Sequence, residues 1–447
     1  MNESAKKTTR MWAPILVALT VVATANASAE QVRLRLATGS SVVRADTPET
    51  VYLKVGLEGL AFADASVRTP VNVAVVLDKS GSMKGEKLYK AKEAAKMAVN
   101  RLRADDIVSV IAYDHSVEVL VPATKASEKY EINQKIDRIV AGGNTALFAG
   151  VSKGIAEVRK FLDTRRISRV ILLSDGLANV GPSSPYELGE LGASLLKEGI
   201  SVTTVGLGDG YNEDLMTRLS EASDGNHAFA RTADDLARIF NFELGDLLSV
   251  VAKDVRVKIT CGSDVRPVRV LGRKASITGS TVTARINQLY ANQEKFLLIE
   301  VQLPAARDGS IRDVADVRIE YDNTQNGRRE TLARAAQIRY SNSMADVESS
   351  RNEAVLVSSI ELLATENSRL AVSLRDQGKA DEAARVLQKN VDFLEKNAAV
   401  HKSPKLKKLA GDNRRDKAEI HAPAPVWKSR RKEMRSRQYQ SDQQMAW

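Results

Sequence analysis

The chain has little of what builds cross-links or soft-metal sites. Among its 447 residues there is one cysteine, Cys261, which excludes an intramolecular disulfide and a cysteine–zinc cluster. Cys261 reads instead as a small buried residue near a strand end. The four histidines, His115, His227, His401 and His421, are scattered without metal-ligand spacing, so zinc is not expected. Beyond the amino terminus no segment is long and apolar enough to span a bilayer, which takes about 20 residues.

The amino terminus itself reads as a processing signal. Lys6, Lys7 and Arg10 precede the short apolar stretch from Met11 to Ala25, and Ala27-Ser28-Ala29 offers a small-residue cleavage site before Glu30. An exported mature protein, periplasmic or secreted and without a transmembrane segment, is expected; a retained signal anchor is the alternative. The net charge of +10 is unevenly spread. Residues 1–29 carry +2, residues 401–447 carry +8, and the body between them is neutral. The ordinary apolar and charged fractions suit a globular protein, and the length suggests two or three domains.

What is present is concentrated in three loops. The apolar run VNVAVVL ends in Asp78-Lys79-Ser80-Gly81-Ser82. Such a run reads as a buried parallel strand, and open α/β sheets bind ligands beyond the carboxyl ends of their strands. Asp and Ser are hard oxygen donors of the kind that suit magnesium, calcium or manganese. The second loop, GGNTAL at residues 142–147, leads into a helix with Leu147, Val151, Ile155, Val158 and Leu162 on one face. The third follows another apolar run, VILLSDG, and carries Asp175.

With these residues in order, the chain resembles a von Willebrand factor A domain with its metal-ion-dependent adhesion site, over about residues 70–245. The family's D-x-S-x-S, Thr and D-G are matched by Asp78, Ser80, Ser82, Thr145 and Asp175. The resemblance implies that Ser80, Ser82 and Thr145 contact a divalent ion, magnesium first and manganese or calcium as alternatives. It implies that Asp78 and Asp175 act mostly through water and hydrogen bonds, and that a partner protein's Asp or Glu completes the ion's shell. The competing reading is a degenerate site whose Asp and Ser serve as turn and cap residues. Gly81 and Gly143 are expected to let the backbone turn tightly, and Asp114 and His115 to rim the site or stabilise a turn. The glycine-rich 206–210 segment reads as an ordinary loop.

Alternating strand and helix patterns predict a doubly wound, mostly parallel sheet over residues 70–250. Residues 107–114 and 117–121, separated only by His115 and Ser116, are too close for a crossover helix and predict an antiparallel hairpin. Two strand-like segments within residues 30–69 and the period-two pattern of residues 251–344 predict an antiparallel β-sandwich shared across the α/β insertion. Residues 345–398 predict a helical hairpin. The Lys- and Arg-rich residues 399–447, interrupted by Pro404, Pro423 and Pro425, are expected to be disordered. That tail could meet an anionic envelope surface, with Trp427, Tyr439 and Trp447 interleaved among its cations, or stay solvated without a partner. Export disfavours nucleic acid.

Catalysis is not expected. No G-x-S-x-G elbow or S-x-x-K pairing surrounds Ser80 or Ser82, and no histidine or glutamate has a claim to act as base. The expected function is an exported, non-enzymatic adhesion module that recognises an acidic residue through a divalent ion. The alternative is an envelope scaffold whose sandwich or tail makes the contacts.

Overall fold

The computed structural model describes residues 31–62, 68–163 and 165–445. The leader expected at residues 1–29 and Trp447 lie outside them. Six strands form the α/β sheet, in the order Val117–Lys125, Ile107–Tyr113, Val71–Asp78, Ile167–Ser174, Ile200–Leu207, His227–Ala230. Only the edge strand Val117–Lys125 runs antiparallel, in the hairpin with Ile107–Tyr113. The other neighbours pair in parallel.

All residues of the four central strands are buried, because helices cover both faces. Val71, Val73, Val75 and Leu77 face the layer containing Glu86–Arg101 and Asp235–Leu248. Ala74 and Val76 face the layer containing Leu147–Arg159 and Glu213–Ala222. This two-sided burial is why the strands are continuous apolar runs rather than alternating ones. From Val71–Asp78 the chain first adds a strand on one side and later adds Ile167–Ser174 on the other. The crevice between those two strands is therefore a topological switch point, where such sheets bind ligands. Asp78 and Ser174 end the two strands that flank it.

The sandwich draws strands from both sides of this insertion. Its four-stranded sheet joins Val32–Thr38 and Glu49–Gly59 to Glu294–Leu303 and Arg266–Leu271. Its six-stranded sheet includes Thr281–Tyr290, Val250–Cys261, Ile311–Asn323 and Arg329–Ser341. Val255, Val257, Ile259 and Cys261 point into the shared core, while Arg256, Lys258 and Thr260 point outward.

The basic tail departs from expectation: it is folded. Beyond the hairpin of Glu353–Asp376 and Ala380–Val400, residues 404–443 form the helices Pro404–Glu419 and Ala424–Gln443. Pro404 and Pro425 sit in first turns, where a missing N–H costs nothing, so they start helices instead of breaking them. The Ser403 hydroxyl caps the first by accepting from the Leu406 amide at 3.3 Å. Leu406, Ile420 and Met434 are fully buried. The excess positive charge finds acids on other elements: Arg431 pairs with Glu213, Asp214 and Asp376, and Arg435 with Asp214. A net charge counted along one segment cannot show partners supplied by another. Among the described residues no helix is long and apolar enough to cross a membrane.

Candidate metal site

The three loops meet at the switch point. Asp78, wholly buried, accepts the Ser80 amide on Oδ1 at 2.8 Å and the Ser174 hydroxyl on Oδ2 at 2.7 Å. Ser80 Oγ and Ser82 Oγ lie 3.1 Å apart, and Ser82 Oγ donates to Asp175 Oδ1 at 2.6 Å. Backbone bonds lock the first two loops together: Gly81 donates to the Gly143 carbonyl at 3.0 Å, and Gly142 to that of Lys79 at 2.8 Å. The third loop is tied in by Asn179, whose Oδ1 accepts the Thr145 amide at 2.9 Å while its own amide donates to Thr145 O at 3.2 Å. A Cβ placed on Gly176 would lie 3.1 Å from Thr145 Oγ1 and 3.6 Å from Ser82 Oγ. All five residues picked from the sequence therefore share one cluster.

Two buried carboxylates side by side need compensation. Burial pushes the Asp78 carboxyl above its ordinary value, and the Asp175 charge adds to that, against hydrogen bonds from Ser80 and Ser174. Asp175 Oδ2 takes the ammonium of Lys87, from the helix Glu86–Arg101. Lys79 turns away from the cluster to Asp114, 2.7 Å off. Burial works to raise the Asp114 carboxyl, but Lys79 and the Ser116 amide and hydroxyl outweigh it and hold it at about 2. His115 is exposed at the rim, and only a glycine fits opposite it: Gly143 has φ +75°, and a Cβ there would lie 2.1 Å from His115 Nδ1.

The donor set fits a hard divalent cation. Three neutral hydroxyls converge beside two buried carboxylates whose mutual repulsion a cation relieves. Among the described residues no three His, Cys, Asp or Glu side chains gather as a metal cluster, here or elsewhere, so any ion at this site would rest on the hydroxyls.

Four residues here escaped the sequence reading. Ser174 was visible as the hydroxyl before Asp175, but its bond to Asp78 depends on which strands are neighbours. Lys87 and Asn179 reach the cluster from flanking segments. Gly210, in the segment read as an ordinary loop, packs so tightly on the third loop that a Cβ would lie 2.2 Å from the Asp175 carbonyl oxygen.

Residues 72–242 match the model of the von Willebrand factor type A domain. This segment is a VWA domain. The chain is 30% identical over 190 residues to the uncharacterized protein YfbK of Escherichia coli K12, covering 42% of this chain and 33% of that one. It is 28% identical over 280 residues to the uncharacterized protein sll0103 of Synechocystis, covering 60% and 66% respectively. The chain thus spans between a third and two-thirds of the length of these curated relatives. Among solved structures, the ArnB paralog VWA2 of Sulfolobus acidocaldarius superposes with a TM-score of 0.64 at 17% identity, covering 93% of this chain and 99% of that one. That likeness extends the shared fold beyond the VWA domain to nearly the whole chain.

Proposed function

We propose that this protein is an exported, non-enzymatic binding module whose VWA domain engages a partner protein through a divalent cation, magnesium first. The observation that carries this reading is the convergence of Ser80, Ser82 and Thr145 with the buried Asp78 and Asp175 on three loops at the switch point. The three hydroxyls would hold the ion. A bound ion would supply the electrophile for an Asp or Glu carboxylate of the partner. The protein's own work is orientation: Asp78 fixes the Ser80 amide and the Ser174 hydroxyl, and Asp175 fixes the Ser82 hydroxyl. Hydroxyls carry no formal charge, which leaves the ion's charge available to an anionic partner.

Neither His227 nor Asp114 stands free to act as a base for hydrolysis. His227 is fully buried and hydrogen-bonded to Thr204, and Asp114 is engaged by Lys79. The tail offers less to a surface than its charge suggested, since Arg430, Arg431, Arg435 and Arg437 pair with acids of this chain. These pairings favour the metal face over the tail as the place of partner contact.

The test is capture from an envelope extract by the mature chain, in magnesium and in chelator, with Asp175→Ala in parallel. A protein retained only by the wild type and only with metal supports the proposal. Equal retention in all three samples refutes it and moves recognition to the sandwich or the helices.

A further inference from the structure

A cleft of about 1070 Å³ lies away from the metal loops. Its walls are the helices Pro185–Glu198 and Glu213–Ala222 of the VWA domain and the outward face of the six-stranded sandwich sheet. That volume is at the upper end for small-molecule sites. Four cations stand on the sheet face: Arg256 and Lys258 on Val250–Cys261, Arg285 on Thr281–Tyr290, and Arg318 on Ile311–Asn323.

Their register is unusual. Arg256 is directly opposite Arg285, and Lys258 directly opposite Arg318. Like charges at opposed positions are destabilising in a sheet, yet here two such pairs occupy neighbouring rows, about 7 Å apart by strand rise. The acids nearby do not cancel them. Asp254 is shared by Arg256, Arg285 and Arg329, at 2.9, 2.7 and 3.1 Å, with Asp322 also on Arg329 at 2.9 Å. Glu320 is shared between Arg318 and Arg329, at 3.1 and 3.7 Å. On the opposite walls, Asp224 and Glu221 are taken by Arg273 and Lys274, at 2.8 and 2.7 Å, which leaves Glu190 as the one further lining acid against the four sheet cations. Lys258 has no carboxylate at ion-pair distance among the described residues.

We infer that this cleft is a binding site for a small organic polyanion, one bearing at least two phosphate or sulfate groups spaced to meet the two cation rows. Guanidinium groups offer the planar donor fork that tetrahedral oxyanions accept. Ala193, Leu196 and Ala222 on the helix wall give the ligand's carbon body an apolar surface. Binding here needs no metal and is independent of the VWA site.

The test is calorimetric titration of the full chain, metal-free and at physiological salt, with inositol hexakisphosphate and separately with inositol hexasulfate. Inorganic phosphate is the single-group comparator. Lys258→Gln/Arg318→Gln removes one opposed pair, and Lys407→Gln/Lys408→Gln, on the exposed side of a C-terminal helix, makes the same charge change elsewhere. The expected result is binding of at least one polyanion, far weaker binding of phosphate, and at least a tenfold loss in the cleft variant alone. The cleft variant should melt no lower than wild type without ligand, because a like-charge pair is gone, and only wild type and the control variant should be stabilised by the polyanion. Which polyanion binds tighter assigns the site to phosphate or to sulfate. No binding to wild type, or equal losses in the two variants, overturns the inference.

Discussion

Lys87 gives a test of charge balance at the metal site whose sign is not obvious from the sequence. Its ammonium sits on Asp175 Oδ2, while Asp175 Oδ1 receives the Ser82 hydroxyl. A divalent ion drawn to the same carboxylate meets that ammonium as a competitor. Asp175 is buried, but 40% of the Lys87 side chain is exposed, so solvent screens the pair. Screened pairs of this kind are worth about 1 kcal/mol or less. With tenfold in affinity corresponding to about 1.4 kcal/mol, Lys87→Gln should tighten divalent binding by up to about fivefold. Asp175→Asn keeps the shape but removes the charge that orients the hydroxyls, and should weaken binding by about 10- to 100-fold. Titration calorimetry with magnesium and with manganese reads both variants, and the gain from Lys87→Gln should shrink as salt rises. Unchanged or weaker metal binding in Lys87→Gln would refute the competition and make the ammonium a support that holds Asp175 in place.

Two further outcomes concern how the folded tail grips the VWA domain. Lys432 is fully buried, donates to the Tyr211 carbonyl at 2.6 Å, and pairs with Glu213. Lys432→Met should cost about 3 kcal/mol, the lower end for breaking a buried pair because Arg431 stays on Glu213, and urea denaturation of both proteins reads it. His227, buried against Tyr439, is held down at about 3, first by burial. The unfolded chain takes up that proton near pH 6.5 and the native one does not, so stability present at neutral pH is lost as pH falls from about 6.5 towards 3. His227→Asn should flatten that part of the stability profile, and a slope equal to wild type would mean other groups carry it.

The metal loops were legible because Asp78, Ser80, Ser82 and Asp175 follow strands whose burial on both sides leaves continuous apolar runs, and Thr145 sits in a glycine-rich loop just before an amphipathic helix. Asp78, Ser80 and Ser82 need only local sequence, and strand order then brings Thr145 and Asp175 to them. The sandwich showed itself through the period-two burial of Val255, Val257 and Ile259. The tail did not, because its stability rests on partners far away in the chain. Lys432 to Glu213 and Tyr439 to the Gly225 carbonyl are contacts across more than two hundred residues, which no local pattern encodes. The opposed cations of the polyanion cleft were hidden for the same reason: Lys258 and Arg318 become neighbours only when the sheet sets its register.

Manganese-soaked crystals of the full chain, with anomalous diffraction measured at the manganese edge, test the metal site most directly. Coordination by the three loops predicts a single strong peak at bonding distance, about 2.0 to 2.3 Å, from the hydroxyls of Ser80, Ser82 and Thr145. The peak should be absent in a Ser80→Ala/Ser82→Ala variant of unchanged fold. No peak at saturating manganese, or a peak held by carboxylates elsewhere with these hydroxyls empty, would contradict metal-dependent recognition by this protein.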